Sequence, residues 1–137
     1  MAVTNGTNLS HLKILIAEDN DIVRLVLKKQ LGMMNIHAVL VENGKEAYEA
    51  CVKNHFHGIL MDLQMPEMDG YEAMKLIRAL PDAAKANMYI VAFTASITEQ
   101  EKILESGFNT FLYKPINIGE LQNKLEEMAL HHREVLS

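Results

Sequence analysis

Five short apolar runs, at residues 12–17, 36–41, 58–61, 88–93 and 110–113, recur along this chain with a helically spaced segment after each one. A continuous apolar run of four to six residues, without polar alternation, is the pattern of a strand buried on both faces, which is how parallel strands sit. Between and after the runs, apolar residues fall at helical intervals: Ile22, Leu25 and Val26; Ala47, Tyr48, Cys51 and Val52; Met74, Ile77 and Leu80; Ile97, Ile103 and Leu104; and Ile118, Leu121, Leu125 and Met128. Ser96 with Glu99 and Asn117 with Glu120 have the spacing of capping boxes, and Gly107 suits a helix end. Strict alternation with right-handed crossovers predicts an α/β, doubly wound domain: an open parallel sheet of five strands with five helices on its two faces.

A chain of 137 residues with 49% hydrophobic content supports one such domain and no second one. Its bounds are expected at 11–130, after a polar leader or linker at 1–10 and before a tail at 131–137. The leader lacks the basic flank and apolar centre of a signal peptide. The net charge of −5, without any Lys/Arg run, argues against direct nucleic-acid binding, which needs clustered cations. No apolar run approaches the roughly 20 residues of a membrane span, so no membrane insertion is expected. Cys51 is the only cysteine; no intrachain disulfide is possible, and a lone thiol suits a reducing, cytoplasmic setting.

In an open α/β sheet, ligands bind beyond the carboxyl ends of the strands. The polar residues that end the first, third, fourth and fifth runs are Glu18 and Asp19, Asp62, Thr94, and Lys114. Taken singly, each reads as an ordinary turn, cap or surface residue. Three carboxylates brought to one rim repel one another unless a cation sits among them, and a hard, oxygen-seeking ion such as Mg2+ suits that site where phosphate chemistry follows. Asp62 is the expected nucleophile. Lys114 then offers a point charge, and Thr94 a hydroxyl, to phosphoryl oxygens during transfer. The Lys114-Pro115 bond can be cis at modest cost, which would turn the lysine toward the rim.

The motifs Ile14-Leu15-Ile16-Ala17-Glu18-Asp19-Asn20, Met61-Asp62-Leu63-Gln64-Met65-Pro66-Glu67-Met68-Asp69-Gly70, Ala92-Phe93-Thr94-Ala95 and Tyr113-Lys114-Pro115 stand in order over nearly the whole chain. In these residues the chain resembles the receiver domains of two-component response regulators and hybrid histidine kinases. That resemblance implies a flavodoxin-like sheet of order 2-1-3-4-5. It implies that Asp62 accepts a phosphoryl group from a phosphohistidine, donated by a histidine kinase or a histidine phosphotransfer domain. Asp19 and Asp62 would ligate Mg2+, Glu18 would help hold it through water, and the backbone carbonyl of Gln64 would contribute a further contact. A cis bond before Pro115 and a switch coupling Thr94 to Phe111 are also implied; many members carry Tyr at the latter position, and Phe lacks its hydroxyl. Such a domain is a phosphorelay switch that catalyses its own phosphorylation and dephosphorylation, not a turnover enzyme, and its parent can be a hybrid histidine kinase.

Three rival readings fit the residues less well. A haloacid dehalogenase-type phosphohydrolase wants a second Asp two positions after the nucleophile, where this chain has Gln64. A flavodoxin-like cofactor binder needs a phosphate loop where Glu18 and Asp19 would repel one. A degenerate receiver, acting only as an interaction module, would not need the full set Asp19, Asp62, Thr94 and Lys114. Asp69-Gly70 reads as the turn and cap of the third helix. The histidines, His55, His57, His131 and His132 among them, read as solvated surface.

Overall fold

The computed structural model describes residues 9–136. Its elements run β1 (Lys13–Ala17), α1 (Asp21–Met33), β2 (His37–Val41), α2 (Gly44–Lys53), β3 (Gly58–Asp62), α3 (Gly70–Arg78), α4 (Ala83–Ala86), β4 (Tyr89–Thr94), α5 (Gln100–Ser106), β5 (Thr110–Tyr113) and α6 (Ile118–Leu136). The strands pair in parallel in the order β2-β1-β3-β4-β5. Burial explains the apolar runs: every residue of the central strands β3 and β4 is buried.

Because successive strand side chains point to opposite faces, each run feeds two cores. Ile14, Ile16, Leu60, Val91, Phe93 and Leu112 pack under α1 and α6, against Leu27, Leu31, Leu121, Leu125 and Met128. Leu15, Ala17, Ile59, Met61, Ile90 and Ala92 pack under α2, α3 and α5, against Ala47, Cys51, Met74, Ile77 and Ile103. Helix starts are fixed locally. Asn20 accepts from the amides of Ile22 and Val23, Asn43 from that of Glu46, and Asp69 from that of Glu72.

The structure corrects the sequence reading in several places. There are six helices and not five, because Asp82 caps a single turn, α4, that buries nothing and so left no apolar stripe to read. Ser96 does not cap α5: that helix starts at Gln100, Glu99 makes no side-chain cap, and its carboxylate instead accepts from the Tyr71 hydroxyl at 3.2 Å. Ile97, read at helical spacing with Ile103 and Leu104, lies before the helix and is 69% exposed. Residues 131–136 do not form a separate tail but continue α6 to Leu136. Of the leader expected at 1–10, Leu9 is buried in the α1/α6 core, and residues 1–8 lie outside the described residues.

His11, His37 and His55 are exposed, as their sequence suggests, but His57, His131 and His132 are partly buried. His57 precedes β3, and its Nδ1 accepts from the Lys13 amide at 2.8 Å. The rings of His11 and His132 meet it edge-on at 5.5 and 4.3 Å. His131 donates from Nε2 to the Asn87 carbonyl at 2.6 Å. An accepting Nδ1 requires the neutral ring with its proton on Nε2, because a proton on Nδ1 would face the amide hydrogen. Burial, followed by the neighbouring charges of His132 and His11, accordingly lowers the His57 pKa from 6.5. The unfolded chain therefore takes up this proton first as pH falls. The stabilisation is complete above about pH 6.5 and is lost as pH drops through the folded value. The urea midpoint is expected to fall between pH 7.5 and 5.5, and to fall less in His57→Gln; equal slopes for the two proteins would refute the assignment.

Candidate functional site

Parallel registry brings the carboxyl ends of the strands to one rim. Asp62 closes β3 opposite Phe93, Thr94 closes β4 opposite Tyr113, Glu18 and Asp19 follow β1, and Lys114 follows β5. These residues line an open cleft of about 510 Å³ together with Asn20, Val23, Leu63, Gln64 and Ala95. Carboxylate oxygens of Glu18, Asp19 and Asp62 lie within 4.8 Å of one another.

The site combines buried and open groups. Glu18 is 1% exposed and Asp62 and Thr94 are each 5% exposed, while Asp19 stands open to solvent. Lys114 Nζ sits 2.8 Å from Glu18 Oε1 and 3.3 Å from Asp62 Oδ2, and lies over the Phe93 ring, 5.2 Å from its centroid. Glu18 Oε2 accepts from the Asn20 amide at 3.0 Å, whereas Oε1 meets, among the described residues, the Lys114 ammonium alone. Asp62 Oδ1 takes a long bond of 3.3 Å from the Gln64 amide. Thr94 Oγ1 accepts from the Ser96 amide at 3.0 Å, and the Lys114 amide donates to the Thr94 carbonyl at 2.8 Å. The Lys114–Pro115 bond is cis.

Electrostatics leave this arrangement short of positive charge. Burial first, and the Glu18 charge second, push the Asp62 carboxyl up to about 7, against the lowering effects of Lys114 and the Gln64 amide. Burial opposes the charge on Lys114, but hydrogen bonds and charges from Glu18 and Asp62 outweigh it and raise its pKa. Three carboxylates set against one ammonium leave two negative charges, and the Lys114 ammonium that serves the buried Glu18 Oε1 is shared with Asp62. An oxygen-ligated divalent cation suits that deficit in charge and in donor chemistry.

By the alternation of strand faces, Thr94, Phe111 and Tyr113 share the side of the sheet packed by α3 and α5. Phe111 is half-buried opposite Ala92, two residues before Thr94, and its ring tilts against that of Tyr113 at 5.3 Å. The Tyr113 hydroxyl accepts from the Gln100 side-chain amide at the start of α5. Sequence reasoning passed over Tyr113, since an aromatic residue in a strand signals packing alone. It also passed over Arg24, whose guanidinium donates to the Glu18 carbonyl at 2.7 Å. The visible signal there, an acid at Asp21 three residues earlier, is that of an ordinary helix-surface pair.

Gly70 has a role that no turn motif discloses. Asp69 does cap α3, but a Cβ at Gly70 would lie 2.3 Å from the Asp62 carbonyl oxygen and 3.0 Å from Leu63 Cα. Both neighbours are backbone and cannot rotate aside. Gly70→Ala is expected to lower stability in urea denaturation by about 1–3 kcal/mol, the range for overpacking. Gly32→Ala in α1, where nothing lies within 4 Å, should instead be neutral or stabilising. Equal effects at the two positions would show that the contact with Asp62 is not what demands glycine.

Comparison with known proteins places this geometry. Residues 14–126 match the family model of the response regulator receiver domain. Hybrid signal transduction histidine kinase K of Dictyostelium discoideum is 35% identical over 130 residues, which cover 90% of this chain and 11% of that kinase. The receiver domain of the Pseudomonas aeruginosa sensor histidine kinase PA1611, solved with magnesium in its active-site cleft, is 32% identical with a TM-score of 0.78 over 85% of this chain and 96% of its own. The Saccharomyces cerevisiae Ssk1 receiver domain, solved with the histidine phosphotransfer protein Ypd1, gives 36% identity and a TM-score of 0.80 over 87% of this chain and 89% of its own. With five parallel strands in the order 2-1-3-4-5 and an acidic rim faced by a lysine, the chain belongs to the response regulator receiver domain family.

Proposed function

We propose that this chain is a magnesium-dependent phosphoacceptor that takes a phosphoryl group onto Asp62 from a phosphohistidine and changes shape in response. The observation that carries the reading is the rim itself: Glu18, Asp19 and Asp62 in one cluster, with Lys114 Nζ bridging Glu18 and Asp62. Glu18, Asp19 and Asp62, with the Gln64 backbone carbonyl beside them, are the groups that would hold Mg2+. When bound, the ion supplies charge neutralisation for phosphoryl oxygens and for the crowded carboxylates.

The residues of the chain do the rest. A carboxylate oxygen of Asp62 attacks phosphorus; an O–P bond forms as the P–N bond to histidine breaks, and the bond electrons leave with the imidazole. Lys114 can exchange part of its contact with Asp62 for a phosphoryl oxygen. Thr94 Oγ1 already accepts from Ser96, which leaves its O–H to donate to the same group. The added charge, about −1.5 to −2, draws Thr94 toward the cleft and vacates space on the α5 side of the sheet. Phe111 occupies that side, and its movement would shift α5 and the loop before it.

The partner class follows from similarity and surface. The Ssk1 receiver was solved with a histidine phosphotransfer protein, and here an apolar hollow of about 200 Å³ adjoins the cleft, lined by Ile22, Val23, Val26, Phe93, Pro115 and Ile116. Ile22 and Leu25 on α1 are exposed beside it, which suits a helical donor presenting a histidine. The similarity to a small part of a hybrid kinase fits a receiver carried within such a kinase as well as one standing alone. Buried, unpaired Cys51 accords with a cytoplasmic site of action. Among the described residues, no helix is long and apolar enough to cross a membrane.

Intact mass after incubation with Mg2+ and acetyl phosphate tests the reading. One added phosphoryl group is expected on the wild type and none on Asp62→Asn or in excess chelator. Lys114→Ala should slow the reaction roughly a hundredfold, the effect of removing one preorganised charge-stabilising group. An adduct that persists in Asp62→Asn would overturn the assignment. In Thr94→Ala the adduct should still form, while the backbone amide shifts that accompany it near Phe111 and α5 should shrink; undiminished shifts there would remove Thr94 from the switch.

A further inference from the structure

Asp19 is the exposed member of the acidic cluster, and among the described residues no hydrogen bond or ion pair holds its carboxylate. Its position is therefore set by its backbone. The peptide group that precedes it carries the Glu18 carbonyl, and that oxygen accepts from Arg24 Nη1 at 2.7 Å. The same guanidinium reaches the Asp21 carboxylate through Nη2 and lies 3.7 Å from Glu42 Oε1, just past β2. Although an Asp and an Arg three residues apart usually make a solvated surface pair, the Arg24 side chain is only 13% exposed. Glu18 is pinned from its other sides as well: its amide donates to the Val41 carbonyl at 3.1 Å and its carboxylate accepts from the Asn20 amide.

We infer that Arg24 is a positioning residue for the cation site: it orients the Glu18–Asp19 peptide and draws Asp21 and Glu42 away from the cleft, so that the inner carboxylates alone face the ion. The inference rests on the magnesium reading above. A planar fork is what the task requires, since one guanidinium meets a carbonyl and two carboxylates in different directions, which a lysine ammonium on a flexible stem does not reproduce.

Charge and positioning make opposite predictions here. Arg24 is a cation next to an acidic cluster, so its removal should tighten Mg2+ binding if charge alone matters. If it positions Asp19, removal should weaken binding, and loss of an outer-shell partner typically costs about ten- to a hundredfold in metal affinity. Titration calorimetry of Mg2+ into wild type, Arg24→Ala and Arg24→Lys, with thermal melts of the metal-free proteins as the check on folding, distinguishes them. The expected result is roughly tenfold weaker binding in Arg24→Ala and a smaller but clear loss in Arg24→Lys, which keeps the charge and loses the fork. Equal or tighter binding by folded Arg24→Ala overturns the inference while leaving the magnesium reading intact. Should Arg24→Ala fail to fold, Arg24→Lys decides, and wild-type affinity in that variant overturns the inference. Absence of Mg2+ binding by the wild type overturns both.

Discussion

Two buried carboxylates at the end of an apolar sheet are the constraint around which this molecule is arranged. Glu18 and Asp62 stand a few ångströms apart with almost no exposure, and one ammonium, Lys114 Nζ, bridges them. Taking charged groups out of water is costly unless they are paired, and one lysine does not balance the cluster once Asp19 is added. The raised Asp62 pKa expresses that imbalance. A site of this kind is poised toward incoming positive charge and toward a group whose oxygens Lys114 can then contact. The same shortage of charge that strains the resting site makes it receptive.

Everything that delivers those groups is ordinary packing. Lys114 arrives because β5 pairs with β4 in register, Asp62 because β3 is the central buried strand, and Glu18 because β1 runs between β2 and β3. Two apolar cores, one on each face, hold these registers, since a slip of one residue would exchange the two faces of every strand. The close approach of α3 to the Asp62 backbone at Gly70 and the grip of Arg24 on the Glu18 carbonyl bind the rim to helices on opposite sides of the sheet. The rim is thus tied directly to α1 and α3.

Legibility in the sequence tracked the range of the interaction involved. The strands were readable because double-sided burial demands continuous apolar runs, and the caps Asp69 and Asn117 because a side chain bonding an amide three residues ahead is local. The Ser96 cap failed because Glu99 found a partner 28 residues away in Tyr71. His57 was misplaced for the same reason: its partners, the Lys13 amide and the rings of His11 and His132, come from both ends of the chain. Helix α4 escaped notice because a single capped turn with no buried residue has no periodicity to detect.

The chain's own order of residues determined the strand count, the alternation with helices, and which polar groups would end each strand, because these depend on burial pattern and neighbouring residues. What it did not contain was distance. That Lys114 lies between Glu18 and Asp62, that Asp19 depends on its backbone for its position, that Arg24 turns inward rather than resting on the surface of α1, and that Tyr113 and not Phe111 supplies a hydroxyl to α5 all follow from parallel registry and helix packing. Those relations join residues from 6 to 96 positions apart, and only the closed tertiary structure, by burying them together, decides which of their possible partners each one meets.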